Sequence, residues 1–129
     1  MRFSKYAREH EVLEGVWREA KEYLGTHVQT VRQFQRNDGA FSAGLLLEPA
    51  DPESPSDLAF STGHTLEWLT LALTEEELKQ PWAERAVRRL CEEIEHHPID
   101  AFSDGGIYHA VNALRLYRDV LFGDDTRSR

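Results

Sequence analysis

Apolar residues recur every three or four positions in each long segment of this chain and nowhere alternate convincingly with polar ones. That period is the stripe of an amphipathic helix, so it predicts an all-α fold and argues against a sheet. From Ala7 to Gln35, the residues Leu13, Trp17, Ala20, Leu24, Val28, Val31 and Phe34 hold one phase across Gly25. One long helix is predicted there. Its glycine either lets a neighbour approach closely or is simply tolerated, at about 1 kcal/mol against alanine. Asn37-Asp38-Gly39 ends it, because Asn and Gly accept the left-handed conformation that closes helices.

From Ala40 to Phe60 the pattern breaks. Phe41 to Leu47 is apolar and predicted to lie extended along the core. Pro49, Pro52 and Pro55, with Glu48, Asp51, Glu53 and Asp57, then predict an acidic solvent loop over about 48–60, since prolines at this spacing forbid a regular helix. Ser61 or Thr62 is expected to cap the second helix. That helix carries Leu66, Trp68, Leu69, Leu71, Ala72 and Leu73, apolar nearly all round, and is therefore expected to be an inner one. Thr74 to Glu77 spells a capping box, and Pro81 suits the first position of a third helix. The third helix, to about Glu95, is expected to bury Trp82, Ala86, Val87, Leu90, Cys91 and Ile94. Its solvated face would hold Glu84, Arg85, Arg88, Arg89, Glu92 and Glu93. Pro98 stops it. A fourth helix follows Ser103-Asp104-Gly105-Gly106 and closes at Gly123, leaving a frayed tail at 124–129.

A length of 129 residues suits one domain, with enough chain to bury a core. No apolar run reaches the roughly 20 residues that span a bilayer, and the N-terminus shows no secretion signal. The single Cys91 excludes an internal disulfide and a cysteine zinc knuckle, so a reducing, cytoplasmic setting is expected. The net charge of -8 argues against nucleic acid as a partner, because phosphate binding needs a cationic face. Lys79 is the only basic residue among nine acids in residues 37–81, so the acidity is concentrated there.

Two stretches of the chain look alike. Asp38-Gly-Ala-Phe-Ser42 and Asp100-Ala-Phe-Ser-Asp104 each follow an amphipathic helix and precede a more apolar one. Within those helices Gly63-His64-Thr-Leu-Glu67-Trp-Leu stands beside Tyr108-His109-Ala-Val-Asn112-Ala-Leu. The unit is an outer helix, a turn and an inner helix with histidine near its start, used twice. Such units bury their apolar faces by stacking.

The run Gln35-Arg-Asn-Asp38-Gly39-Ala-Phe41 resembles the Gln-x-x-Asp-Gly-x-aromatic turn of (α/α)-toroid proteins, which include terpenoid cyclases and protein prenyltransferase subunits. The chain is also similar, over nearly its full length, to a group of functionally unassigned bacterial proteins with Thr-Gly-His-Thr-Leu-Glu-Trp-Leu and Tyr-His-Ala segments. The resemblance implies helical hairpin repeats forming part of a toroid. It implies no activity, because the helix-borne Asp-rich cluster of cyclases and the Cys and His ligands of zinc-dependent toroids are missing.

His64 and Glu67 stand at i,i+3 on one helix face, and His109 and Asn112 hold the matching places on the fourth helix. Inner helices packed side by side would bring the imidazoles to one end of the bundle, within about 10–20 Å, near Trp68, Asp104 and Tyr108. Two imidazoles and a carboxylate suit a divalent metal, or an acid–base pair above an aromatic platform. The simpler role is structural, each histidine bonding a turn at Asp38-Gly39 or Asp104-Gly105. The candidate ligand-binding set is thus His64, Glu67, Trp68, Asp104, Tyr108, His109 and Asn112, with no catalytic residue, metal or cofactor assigned.

Two functional classes follow. The leading expectation is a non-catalytic helical-repeat domain that binds a protein partner or forms a homodimer, because two hairpins leave apolar ends uncapped. The alternative is an enzyme or carbohydrate-binding pocket at the inner-helix N-termini, using His64, Glu67 and His109. Open, shared histidines favour the pocket, and buried histidines bonded to turn backbone favour the structural role.

Overall fold

Serine, threonine and proline set where the helices start. The computed structural model describes residues 14–41 and 54–123. Its helices are α1 (Glu14–Gln33), α2 (Pro55–Ala72), the one-turn α3 (Glu75–Leu78), α4 (Pro81–His96) and α5 (Asp104–Phe122), with a 3₁₀ turn at Ile99–Ala101. Among the described residues there is no strand, only one isolated bridge pair between Gln35 and Phe41. The all-α class is therefore as the periodicity predicts. No described helix is long and apolar enough to cross a membrane. Residues 1–33 and 34–129 form two compact units. The expectations for Ala7 to Leu13, the Trp17 side chain, the extended segment after Phe41, the prolines at 49 and 52, and the tail lie outside the described residues.

In the first unit, α1 runs unbroken through Gly25, as its phase predicts. A Cβ at Gly25 would meet nothing within 4 Å.

The second unit begins with the turn after α1. Gly39 takes φ 95°, the left-handed region the sequence assigns to it. The Asp38 carboxylate accepts from Ala40 N at 3.1 Å and fixes the turn. Gln35 Nε2 donates to Gly39 O and to Trp82 O, each at 2.8 Å, and ties the turn to α4. Phe41 is fully buried.

The start of α2 corrects the loop boundary. Ser54 is the N-cap and Pro55 the first helical residue, so 55–60 is helix rather than acidic loop. The physical reason is that proline at this position gives up an amide with no intrahelical partner anyway, and its fixed φ is already helical. Ser61 and Thr62 are consequently not caps. They lie two turns inside the helix, buried, where Ser61 Oγ donates to Phe41 O at 2.7 Å and Thr62 Oγ1 accepts from Phe41 N at 3.2 Å. Leu66 and Leu69 are fully buried, but Leu71 is exposed, so α2 is not covered all round. The Thr74–Glu77 capping box forms as read.

Helices α2 and α5 make the closest pairing in this unit. Ser103 N donates to Ser56 Oγ at 2.8 Å near one end. Further along, a Cβ on Gly63 would stand 2.7 Å from Ala110 N. The sequence offset is the same at both points, so the two helices run parallel. Gly106, Ala110, Ala113 and Tyr117 form the buried stripe of α5. Small residues at the contact let the backbones approach closely, which brings side chains on the flanks of both helices within reach of one another.

Candidate functional site

The site grows from that close approach. His64 and Glu67 lie one turn apart on α2. His109 and Asn112 lie one turn apart on α5, with His109 adjoining the Ala110 contact. Glu67 reaches across the helix pair. Its Oε1 accepts a short hydrogen bond from His109 Nδ1, and its Oε2 accepts one from Asn112 Nδ2. Asn112 is oriented in turn by Arg115, which donates to Asn112 Oδ1 at 2.7 Å. His64 Nδ1 stands 3.9 Å from the same Glu67 oxygen that His109 binds. The two imidazoles meet edge to face with ring centroids 5.1 Å apart.

Exposure is graded across the cluster. The Glu67 side chain is 16% exposed, His109 23% and His64 51%. Glu67 is thus largely withdrawn from water, and its charge is met by hydrogen bonds rather than hydration. Among the described residues no Lys or Arg forms an ion pair with it. The half-open imidazole of His64 faces solvent with a half-buried, oriented carboxylate behind it. Phe60 packs beside both rings, stacked on His64 at 6.1 Å and edge-on to His109 at 4.9 Å. Tyr108 meets His109 edge-on at 5.3 Å and is largely exposed.

The structure therefore brings together five of the seven candidate residues: His64, Glu67, Tyr108, His109 and Asn112. The imidazoles meet near the middle of the helix pair rather than at the helix N-termini, because α2 starts at Pro55 and His64 is its tenth residue, and they lie closer than expected. Two points need correction. Neither histidine bonds the Asp38-Gly39 or Asp104-Gly105 turn, because Glu67 lies nearer to both and is the stronger acceptor. Asp104 is exposed at the first position of α5, where Ser103 caps by accepting from Gly106 N at 3.0 Å. Trp68 is half-buried on α2. Phe60 was missed because the loop reading removed it from any helix face. Had Pro55 been read as a helix start, its position four residues before His64 would have placed it there.

A second polar cluster lies on α4. Glu93 is buried rather than solvated, held by Arg89 at 2.7 Å and by His97 Nε2 at 3.3 Å. Arg89 also reaches Asp38 at 4.0 Å, so the cluster braces the turn before Phe41. Arg88 pairs instead with Glu84, one turn back, at 2.6 Å. His96 Nδ1 donates to Glu92 O at 2.7 Å. Cys91 is half-buried. Burial first, then the nearby Glu95 and Glu92 charges, push its thiol pKa up, which suppresses the nucleophilic thiolate.

Comparison with protein-family models, curated proteins and solved structures finds no match to this chain.

Proposed function

We propose that this chain is a helical-repeat domain that binds a small ligand through His64, Glu67 and His109, where its two inner helices lie side by side. One observation carries the reading: two imidazoles from different helices converge on one withdrawn carboxylate, and the outer imidazole stays half-open to water. A purely structural lock would be satisfied by the bonds from His109 and Asn112 to Glu67. His64 adds nothing to that lock at 3.9 Å and is left to face solvent. Glu67 fixes the His109 tautomer, as a carboxylate does for an imidazole that must bind or move a proton at its other nitrogen.

The test is a thermal-shift panel of sugars, carboxylates, phosphates and divalent cations on the wild-type chain and on His64→Ala. At least one class is expected to raise the wild-type Tm and leave the variant unmoved, with ligand-free stabilities alike. No shift from any class, together with a clearly lower Tm for the ligand-free variant, would return His64 to a structural role.

A second reading, association with a protein partner or a second copy of the chain, is supported by Leu71, Tyr108 and Val111. These apolar groups stand exposed on the same two helices. Light scattering is then expected to report a mass above the 14.9 kDa monomer. A monomer at high concentration would remove self-association.

A further inference from the structure

We propose that His64, Glu67 and His109 form a binding site for one divalent transition-metal ion of the zinc class, with Asn112 holding the carboxylate in place. The inference rests on the ligand-site reading above and names its ligand.

Geometry comes first. One nitrogen from each histidine and one oxygen of Glu67 all lie within 4.8 Å of one another. Ligands about 2.0–2.1 Å from a tetrahedral zinc stand roughly 3.3–3.5 Å apart. The set must therefore close by about an ångström, and the side chain with room to do so is the half-exposed His64. An ion held by both His109 and Glu67 would take the place of their hydrogen bond, its proton leaving to water where Nδ1 is the ligand atom. His64 and Glu67 form a one-turn chelate on α2, and the parallel α5 supplies the third ligand from a rigid neighbour.

Donor chemistry comes next. Two imidazoles and one carboxylate suit zinc, cobalt or nickel, whereas magnesium and calcium prefer sets made of oxygen. The site also has an outer layer. Asn112 donates to the Glu67 oxygen that His109 does not use, and Arg115 fixes Asn112. Outer partners of this kind orient a ligand and tune its affinity. No Lys or Arg among the described residues pairs with Glu67, so a cation would find a carboxylate oriented by His109 and Asn112 alone. Three protein ligands would leave a coordination position open to solvent on the His64 side, the arrangement of zinc sites that bind water or substrate.

The experiment is calorimetric titration of the metal-free chain with Zn²⁺, alongside absorption spectra with Co²⁺. One ion per chain and visible cobalt bands of a four- or five-coordinate site are expected. His64→Ala and Glu67→Gln are each expected to weaken zinc by at least about 100-fold, and Asn112→Ala by about 10–100-fold. His97→Ala, on the other polar cluster, is expected to bind as the wild type does. His64 is half-exposed, so its variant keeps the test open if a change at Glu67 prevents folding. No binding by the wild type, or binding undiminished in His64→Ala, overturns the metal site. The two proposals fail separately. Zinc that does not bind, beside a His64-dependent Tm shift from a sugar, carboxylate or phosphate, overturns the metal and keeps the ligand site. No shift from any class overturns both.

Discussion

Phe41→Ala is expected to lower the free energy of unfolding by about 3–5 kcal/mol, the range for emptying a closed aromatic site. The size follows from how little its surroundings can collapse. Phe41 has no exposed surface, and Ala40 beside it has none. The Phe41 backbone is held at both polar groups, its N–H by Thr62 and its carbonyl by Ser61. Upstream, Gln35 bonds across the turn and to α4. A Cβ on Gly39 would stand 2.6 Å from Arg85 O, so the turn already touches α4 backbone to backbone. A loop fastened at so many points cannot slide inward to fill a cavity. Urea denaturation of the two chains checks this, and a loss under about 1 kcal/mol would mean the turn is not seated as described.

The same turn shows what the sequence conveys and where it stops. Gln35 to Phe41 could be read as a helix-closing turn because each residue acts on its near neighbours: Gly39 through its φ, Asp38 through an amide two residues on. The capping box at Thr74 and the proline start at Pro81 were legible for the same reason. Ser61 and Thr62 were misread because their partner, Phe41, is about twenty residues away and no local pattern marks it. Glu93 was misread for a different reason: its partners Arg89 and His97 are local, each four residues away, but a helical wheel that puts it among charged residues does not show that the fold buries it. In the candidate site, the i,i+3 spacings of His64–Glu67 and His109–Asn112 were visible. The bond from His109 to Glu67 was not, since it depends on the register of two helices. That register, which sets Ser56 beside Ser103 and Gly63 beside Ala110, is offset by two residues from the alignment that pairs the histidines in sequence. Imidazoles that match in the repeat are thus staggered along the helix pair, and both reach the same side of Glu67.

Gly63→Ala tests that register directly and is expected to be the most damaging small change near the site. A Cβ there would lie 2.7 Å from both Ala110 N and His109 C, and 2.9 Å from Ala110 Cα. These are backbone atoms of a continuous helix, so no side chain can swing aside. Alanine is otherwise favoured over glycine in a helix by about 1 kcal/mol. The clash must exceed that gain before any loss appears. Overpacking usually costs about 1–3 kcal/mol, and a contact with backbone alone belongs at or beyond the top of that range. A net loss of about 2 kcal/mol or more is expected in denaturation. The larger consequence is local. Pushing α5 away at His109 pulls its imidazole off Glu67, while His64 and Glu67, both on α2, keep their spacing. Histidine NMR should then show the His109 ring signals shifted toward solvent-exposed values, with His97, on α4, unmoved. A Gly63→Ala chain as stable as the wild type, with His109 unshifted, would mean that α2 and α5 do not meet at this glycine, and the convergence of the two histidines on Glu67 would lose its structural basis.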